Sequence, residues 1–420
     1  MTGARVRISQ IVLAVLALGY AVQAATPLRL HPDNVPLLAI AESAAHGTGF
    51  LFRGQPTVFP PGYPAVVAVL FRLGLAHSWE LIAFNLFGLA GGFLALRYIL
   101  ARRFGATPLA TLNVCIASLL SFVFIRYVAI PLTDPYFFGV AMAALALLVS
   151  AEGVEKRPFP GRVLAAWALV ALAISIRRVG VALIPPLVWA TVSRKELREW
   201  VRQRSAAAKA GGIAAAAGLA GATGWIVART STLRDFHSVL AGYGWWAAVR
   251  QIVGIRLTEL GEMTANLPRF ILPGTMQSAL PWIGVALAGL VAAGMWMGGR
   301  WGTIEVFFAS YAAVLFCWPF SDARFWLPVI PFLIVYLWRA ANRWLRLEFL
   351  QAAGGAYVGV YAILGVLNLS LSTAVTFSGR NFPNVYQDGM YRDTYCTVFQ
   401  SCAITTAPDP LIVHVYQTFR

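Results

Sequence analysis

The chain of 420 residues is 59% hydrophobic and only 12% charged, with a mean hydropathy of +0.69; this lies far outside the balance of a soluble domain and marks a polytopic membrane protein. Its net charge of +16 does not point to nucleic acid, because the arginines fall in short clusters between apolar runs, where the positive-inside effect puts them. A β-barrel is excluded as well: runs such as 164–176 and 213–227 are apolar on every face, whereas barrel strands alternate.

In chain order, the first span is predicted at 8–24, after Arg5 and Arg7, which implies a cytoplasmic N-terminus. Val22-Gln23-Ala24 has the form of a signal-peptidase site, yet so helix-rich a chain is expected to keep its first span. The first outer loop follows at 25–79. Within it, 65–75 is apolar, but counting it as a crossing would invert the side of every later basic loop, so it is predicted as a short helix lying at the interface.

Further spans are predicted at 80–100, 109–126, 135–150, 163–177, 180–193, 211–228, 279–297, 303–319, 325–338 and 351–371, with a second outer loop at 229–278. Arg102-Arg103, Glu155 to Arg162, Arg194 to Lys209, Arg300 and Arg339 to Arg346 then share the cytoplasmic side. The expected architecture is an all-α bundle of about eleven transmembrane helices over 1–372, followed by a small extracytoplasmic tail over 373–420.

This topology collects Asp33, Glu42, Arg53, Asp134, Arg177, Arg178, Asp322 and Arg324 at the outer face. Charges near membrane depth are costly unless paired or wet, so both signs in one place predict a polar cavity; the alternative is that each long side chain snorkels to the headgroups. Asp33 and Asp134 also fit plain helix caps. The loop 229–278 carries Tyr243, Trp245 and Trp246 ahead of Arg250 and Arg256, and reads as an amphipathic surface segment that anchors at headgroup level, with sugar stacking as a second role.

Cysteine usage agrees with this sidedness. Cys115 and Cys317 fall inside spans and read as buried thiols, while Cys396 and Cys402 lie in the tail assigned to the oxidising side and are expected to form a disulfide. The histidines at 31, 46, 77, 237 and 414 are scattered, without ligand spacing. No cofactor is expected; a divalent ion between Asp33 and Asp134 is the one metal arrangement the sequence leaves open.

Four segments, in order, carry a resemblance. Asp33-Asn34 is followed by Gly47-Thr48-Gly49-Phe50 and Phe59-Pro60-Pro61-Gly62-Tyr63-Pro64; then come Pro131-Leu132-Thr133-Asp134-Pro135, Ile176-Arg177-Arg178, and Asp322-Ala323-Arg324-Phe325-Trp326-Leu327-Pro328. The chain resembles the GT-C glycosyltransferases that use polyprenyl-phosphate sugars, in the bacterial branch of protein mannosyltransferases and aminoarabinose transferases. The resemblance implies a GT-C-like fold, an inner-membrane location and a lipid-linked sugar donor acting at the extracytoplasmic face. Asn34 stands where the protein mannosyltransferases carry Glu, which points away from a protein acceptor and toward a lipid or glycan.

The residue types fit that chemistry independently. Transfer to a hydroxyl needs a base for the acceptor proton, for which Asp33 is the candidate. The departing phosphate needs cations with forked geometry, for which Arg324, Arg177 and Arg178 are the candidates. Asp134, Asp322, Glu42, Arg53 and Tyr63 are candidate acceptor- or sugar-binding residues. With no evident covalent nucleophile, a single inverting displacement is expected. A transporter or flippase of lipid-linked precursors shares the composition, but would carry polar groups and broken helices near the bilayer midplane.

Overall fold

The computed structural model describes residues 2–57, 59–152, 160–192, 242, 244–299, 301–344, 348–386 and 389–420. In these segments the chain is a bundle of helices. It opens with α1 (Thr2–Val22), then α2 (Asn34–Ala45), a small hairpin of β1 (Leu51–Phe52) and β2 (Gln55–Pro56), and α3 (Gly62–Arg72). The bundle continues through α4 (Ser78–Phe104), α5 (Pro108–Leu119), α6 (Phe122–Val128), α7 (Thr133–Glu152), α8 (Pro160–Ile176) and α9 (Ile184–Val192). It closes with α10 (Trp245–Ala265), α11 (Gly274–Trp296), α12 (Thr303–Phe316), α13 (Ile330–Trp344), α14 (Glu348–Thr376), α15 (Gly389–Phe399) and α16 (Pro410–Phe419).

Among the described residues, six helices are long and apolar enough to cross a membrane, and a seventh span is possible if α5 and α6, bent by 61°, count as one. Of the predicted spans, 163–177, 180–193 and 303–319 correspond to shorter apolar helices, and 211–228 lies outside the described residues. The segment predicted at the interface, 65–75, is the short amphipathic α3.

Small residues decide which helices touch. A Cβ on Gly139 of α7 would come within 2.4 Å of the Gly88 carbonyl of α4, so the two backbones approach as closely as Gly allows. Gly261 of α10 and Gly284 of α11 work alike, since Cβ atoms there would meet the carbonyls of Leu280 and Leu257 at 2.2 and 1.9 Å. Gly62, at the start of α3, packs on the backbone of Ser175 in the last turn of α8, which brings the Pro-Pro-Gly-Tyr-Pro turn beside Arg177.

The bend between α5 and α6 leaves backbone groups that the helices cannot satisfy themselves. Asn266, in left-handed conformation at the end of α10, supplies the partners: its Oδ1 accepts from Phe122 N at 2.8 Å and its Nδ2 donates to Leu120 O at 3.0 Å and Tyr361 O at 2.9 Å. In the C-terminal tail, Cys396 and Cys402 form a disulfide with a Cα separation of 5.0 Å. Asp393 accepts hydrogen bonds from the amides and hydroxyls of Thr405 and Thr406. Those bonds, that from the Thr405 hydroxyl foremost, hold its carboxyl down at about 2. Tyr395 fastens this cap to the first loop, donating to Leu28 O and accepting from Leu30 N, both at 2.7 Å. Cys115 is buried as expected, whereas Cys317 is exposed: it forms the C-cap of α12, past the last packed turn.

Candidate active site

Helix ends build the site. The residues just before α2, the first turn of α7, the break after α8 and the segment between α12 and α13 all open onto one cavity of about 470 Å³. Each break has a local cause. Pro32 and the polar run to Asn34 delay α2, and Pro135 is placed in the first turn of α7, where a missing N–H costs nothing. After α8 the chain turns extended at Arg177 (φ −145°) and doubles back, with Gly180 against the backbone of Ala173. Pro319 and Pro328 bound the stretch that carries Asp322 and Arg324.

Arg324 is the centre of the cluster and is only 6% exposed. Its Nη2 is ion-paired with Asp33, 291 residues earlier in the chain. Its Nε lies 3.0 Å from Asp322 Oδ2 and its Nη1 3.8 Å from Asp134 Oδ2. Asp134 is fully buried and accepts a hydrogen bond from Arg177. The ring of Phe325 lies 5.3 Å from both the Arg177 and the Arg324 guanidinium carbons and 5.7 Å from that of Arg256, one aromatic ring shared by three cations.

The capping reading of Asp33 is decided by its side chain. Asp33 occupies the N-cap of α2 but makes no side-chain cap bond; it reaches Arg324 instead. Asn34 does the local work: its Oδ1 accepts from His31 N at 2.8 Å and its Nδ2 donates to Arg29 O at 2.7 Å. Asp322 does cap its short 3-10 turn, accepting from Arg324 N at 3.1 Å. Burial pushes its carboxyl up, opposed by the hydrogen bond from Tyr127 and by Arg126 and Arg177.

Not every candidate from the sequence reaches the cavity. Arg177, Arg178, Asp33, Asp322 and Arg324 line it, and Asp134 lies directly behind. Glu42 and Arg53 do not: Glu42 pairs with His414 at 2.9 Å and Arg53 with Asp409 at 2.9 Å, both contacts joining the first loop to α16. Tyr63 is fully buried and does not line the cavity. Asp33 and Asp134 each engage an arginine, and no group of three potential metal ligands occurs among the described residues.

Three contributors were not singled out from sequence. His31 lines the cavity, its Nδ1 accepting from Asp33 N at 3.1 Å and its Nε2 4.0 Å from Asp322. Burial, and then Arg324 and Arg126, lower its pKa to about 3, so the ring is neutral. Its place in His31-Pro32-Asp33 was the available signal. Arg256 and Glu259, expected among surface groups, are 0% and 1% exposed on α10; two opposite charges one turn apart in an apolar stretch were the signal for these. Trp245 and Trp246 at the start of α10 are exposed.

No protein-family model matches this chain, and no curated protein does. Two solved structures are similar to it. One is the crystal structure of ArnT from Cupriavidus metallidurans bound to undecaprenyl phosphate, at 17% identity over 93% of this chain and 69% of that one, with a TM-score of 0.47. The other is the same protein in the apo state, at 15% identity over 97% and 75% of the respective chains, with a TM-score of 0.49.

Proposed function

We propose that this protein is a membrane glycosyltransferase that moves a sugar from a polyprenyl phosphate to an acceptor hydroxyl at the extracytoplasmic face. The observation that carries this reading is the direct pairing of Asp33 with Arg324 on one cavity. A carboxylate able to take a proton and a guanidinium able to hold a phosphate are thereby gathered on the same cavity, where an acceptor hydroxyl and a lipid phosphate can be brought together.

In the reaction, the acceptor oxygen bonds to the anomeric carbon as the bond from that carbon to the phosphate oxygen breaks. The electron pair leaves with the phosphate, and the hydroxyl proton goes to Asp33. Arg324, Arg177 and Arg178 hold the departing anion. One displacement inverts the anomeric centre. Asp33 is 37% exposed and thus accessible to an acceptor, whereas Asp134 is enclosed and serves to hold Arg177 and Arg324. The acceptor is a lipid or glycan rather than a protein.

A carrier that moves lipid-linked precursors across the membrane is less well supported. One to two turns along α7, α12 and α13 from the cavity, Phe138, Phe307, Tyr311 and Phe332 are buried and each is in contact with another ring, so among the described residues aromatic packing follows the cavity on these three helices. The test is turnover by purified protein supplied with a polyprenyl-phosphate sugar. Wild type should transfer or hydrolyse the sugar and Asp33→Asn should not; full turnover in Asp33→Asn removes the base assignment.

A further inference from the structure

The segment that carries Asp322 and Arg324 is fastened from α10, beside the single bond from the Tyr311 hydroxyl of α12 to Phe325 O at 2.6 Å. Glu259 accepts from Asp322 N at 2.8 Å through Oε1 and from Trp326 Nε1 at 2.8 Å through Oε2. Arg256 donates to the carbonyls of Trp318 and Phe320 and to Glu259. Four points along 318–326 are therefore tied to two buried side chains one turn apart on a single helix. The helix itself is held rigidly, locked to α11 through Gly261 and Gly284 and to the α5/α6 bend through Asn266.

A buried ion pair is a poor way to gain stability, because desolvation cancels most of the attraction and an apolar pair of similar volume serves as well. What it supplies here is direction. The carboxylate fixes the N–H of Asp322 and the indole of Trp326 on either side of Arg324, and the guanidinium fixes the carbonyls that precede them. Resting on the donor-binding reading above, we propose that Arg256 and Glu259 are positioning residues. They set the orientation of the 318–326 segment, and through it the place where Arg324 meets the lipid phosphate, without touching substrate themselves.

The experiment uses full-length protein in lipid nanodiscs and undecaprenyl phosphate, without sugar, as the probe. The charge-free double variant Arg256→Met/Glu259→Leu keeps side-chain volume but takes the partners from the Trp318 and Phe320 carbonyls, the Asp322 N–H and the Trp326 indole, so its melting temperature should fall while its Kd for the probe rises about tenfold or more. Glu259→Gln, which keeps the side-chain shape, should weaken binding by about threefold. In an Arg324→Lys background the double variant should add less than about threefold, since both changes act on the same contact.

A double variant that is folded and binds within about twofold of wild type overturns the inference, as does a full, independent loss in the Arg324→Lys background, which a merely structural role predicts. Where the double variant does not fold, unchanged binding by Glu259→Gln overturns it equally. Wild-type protein that fails to bind the probe sinks the donor reading and this inference together, whereas binding by wild type with unaffected variants sinks this inference alone.

Discussion

The first loop sends charged contacts to two places, and the contrast between them separates a buried charge cluster on a cavity from fastening at the surface. At its base, Asp33 meets Arg324 where the arginine side chain is 7% exposed and Asp134 and Arg177 stand behind. At its tip, Arg53 meets Asp409 with the arginine side chain 62% exposed, and Glu42 meets His414 with the imidazole 57% exposed. The pairs look alike in sequence. Solvent makes the outer ones weak, while in the inner cluster the fully buried Asp134 depends on Arg177 and Arg324 for compensation.

The largest effect should come from Asp33→Asn, which keeps the shape and removes the base: turnover should fall by about 10² to 10⁴ with little change in melting temperature. Next, Arg177→Ala should destabilise the fold by about 3–5 kcal/mol, because the buried Asp134 loses its hydrogen-bonded arginine and keeps only Arg324 at 3.8 Å; thermal unfolding in detergent reads this. An Arg177→Ala protein as stable as wild type would show that the inner cluster is wet rather than buried.

Smaller effects sharpen the contrast. Cys396 and Cys402 are six residues apart, and opening so short a loop by Cys396→Ser should cost about 2 kcal/mol in the chain-entropy account, visible as a lower melting temperature with turnover retained. His31 supplies a pH test. Its folded pKa of about 3 lies below its ordinary value, so its contribution is full above about 6.5 and is lost as the pH falls toward 3. Between pH 7 and 5.5 this amounts to about 1 kcal/mol, and His31→Gln should flatten that part of the stability profile. Least of all, Arg53→Ala should cost under about 1 kcal/mol and leave turnover within about twofold; a large loss of turnover would bring the loop tip into the site.

How much of this was legible in the chain depends on the kind of signal. Apolar runs long enough to cross a bilayer announce themselves, and positions such as 80–100 and 279–297 coincide with α4 and α11. The bend in 109–126 did not show, because the residue that satisfies its broken backbone, Asn266, lies 144 residues further on. Asp33, Asp134, Arg177, Asp322 and Arg324 stood out as charges in an apolar chain. Their company did not: nothing local distinguishes Arg53, which pairs at the surface, from Arg324, which pairs in the cavity. Arg256 read as a headgroup ligand because the stretch before it is aromatic and amphipathic, and only the packing of α10 on α11 shows it buried.

Composition and the spacing of apolar runs by themselves determined that this chain is a helical membrane protein with its charged residues gathered near the ends of its apolar runs, because the bilayer penalises exposed backbone and charge wherever they fall. Tertiary structure alone decided which acid meets which arginine. Those pairings depend on helix approaches set by single glycines and on chain breaks hundreds of residues apart, and a charge carries no mark of its partner until the surrounding helices have closed the distance and removed the water.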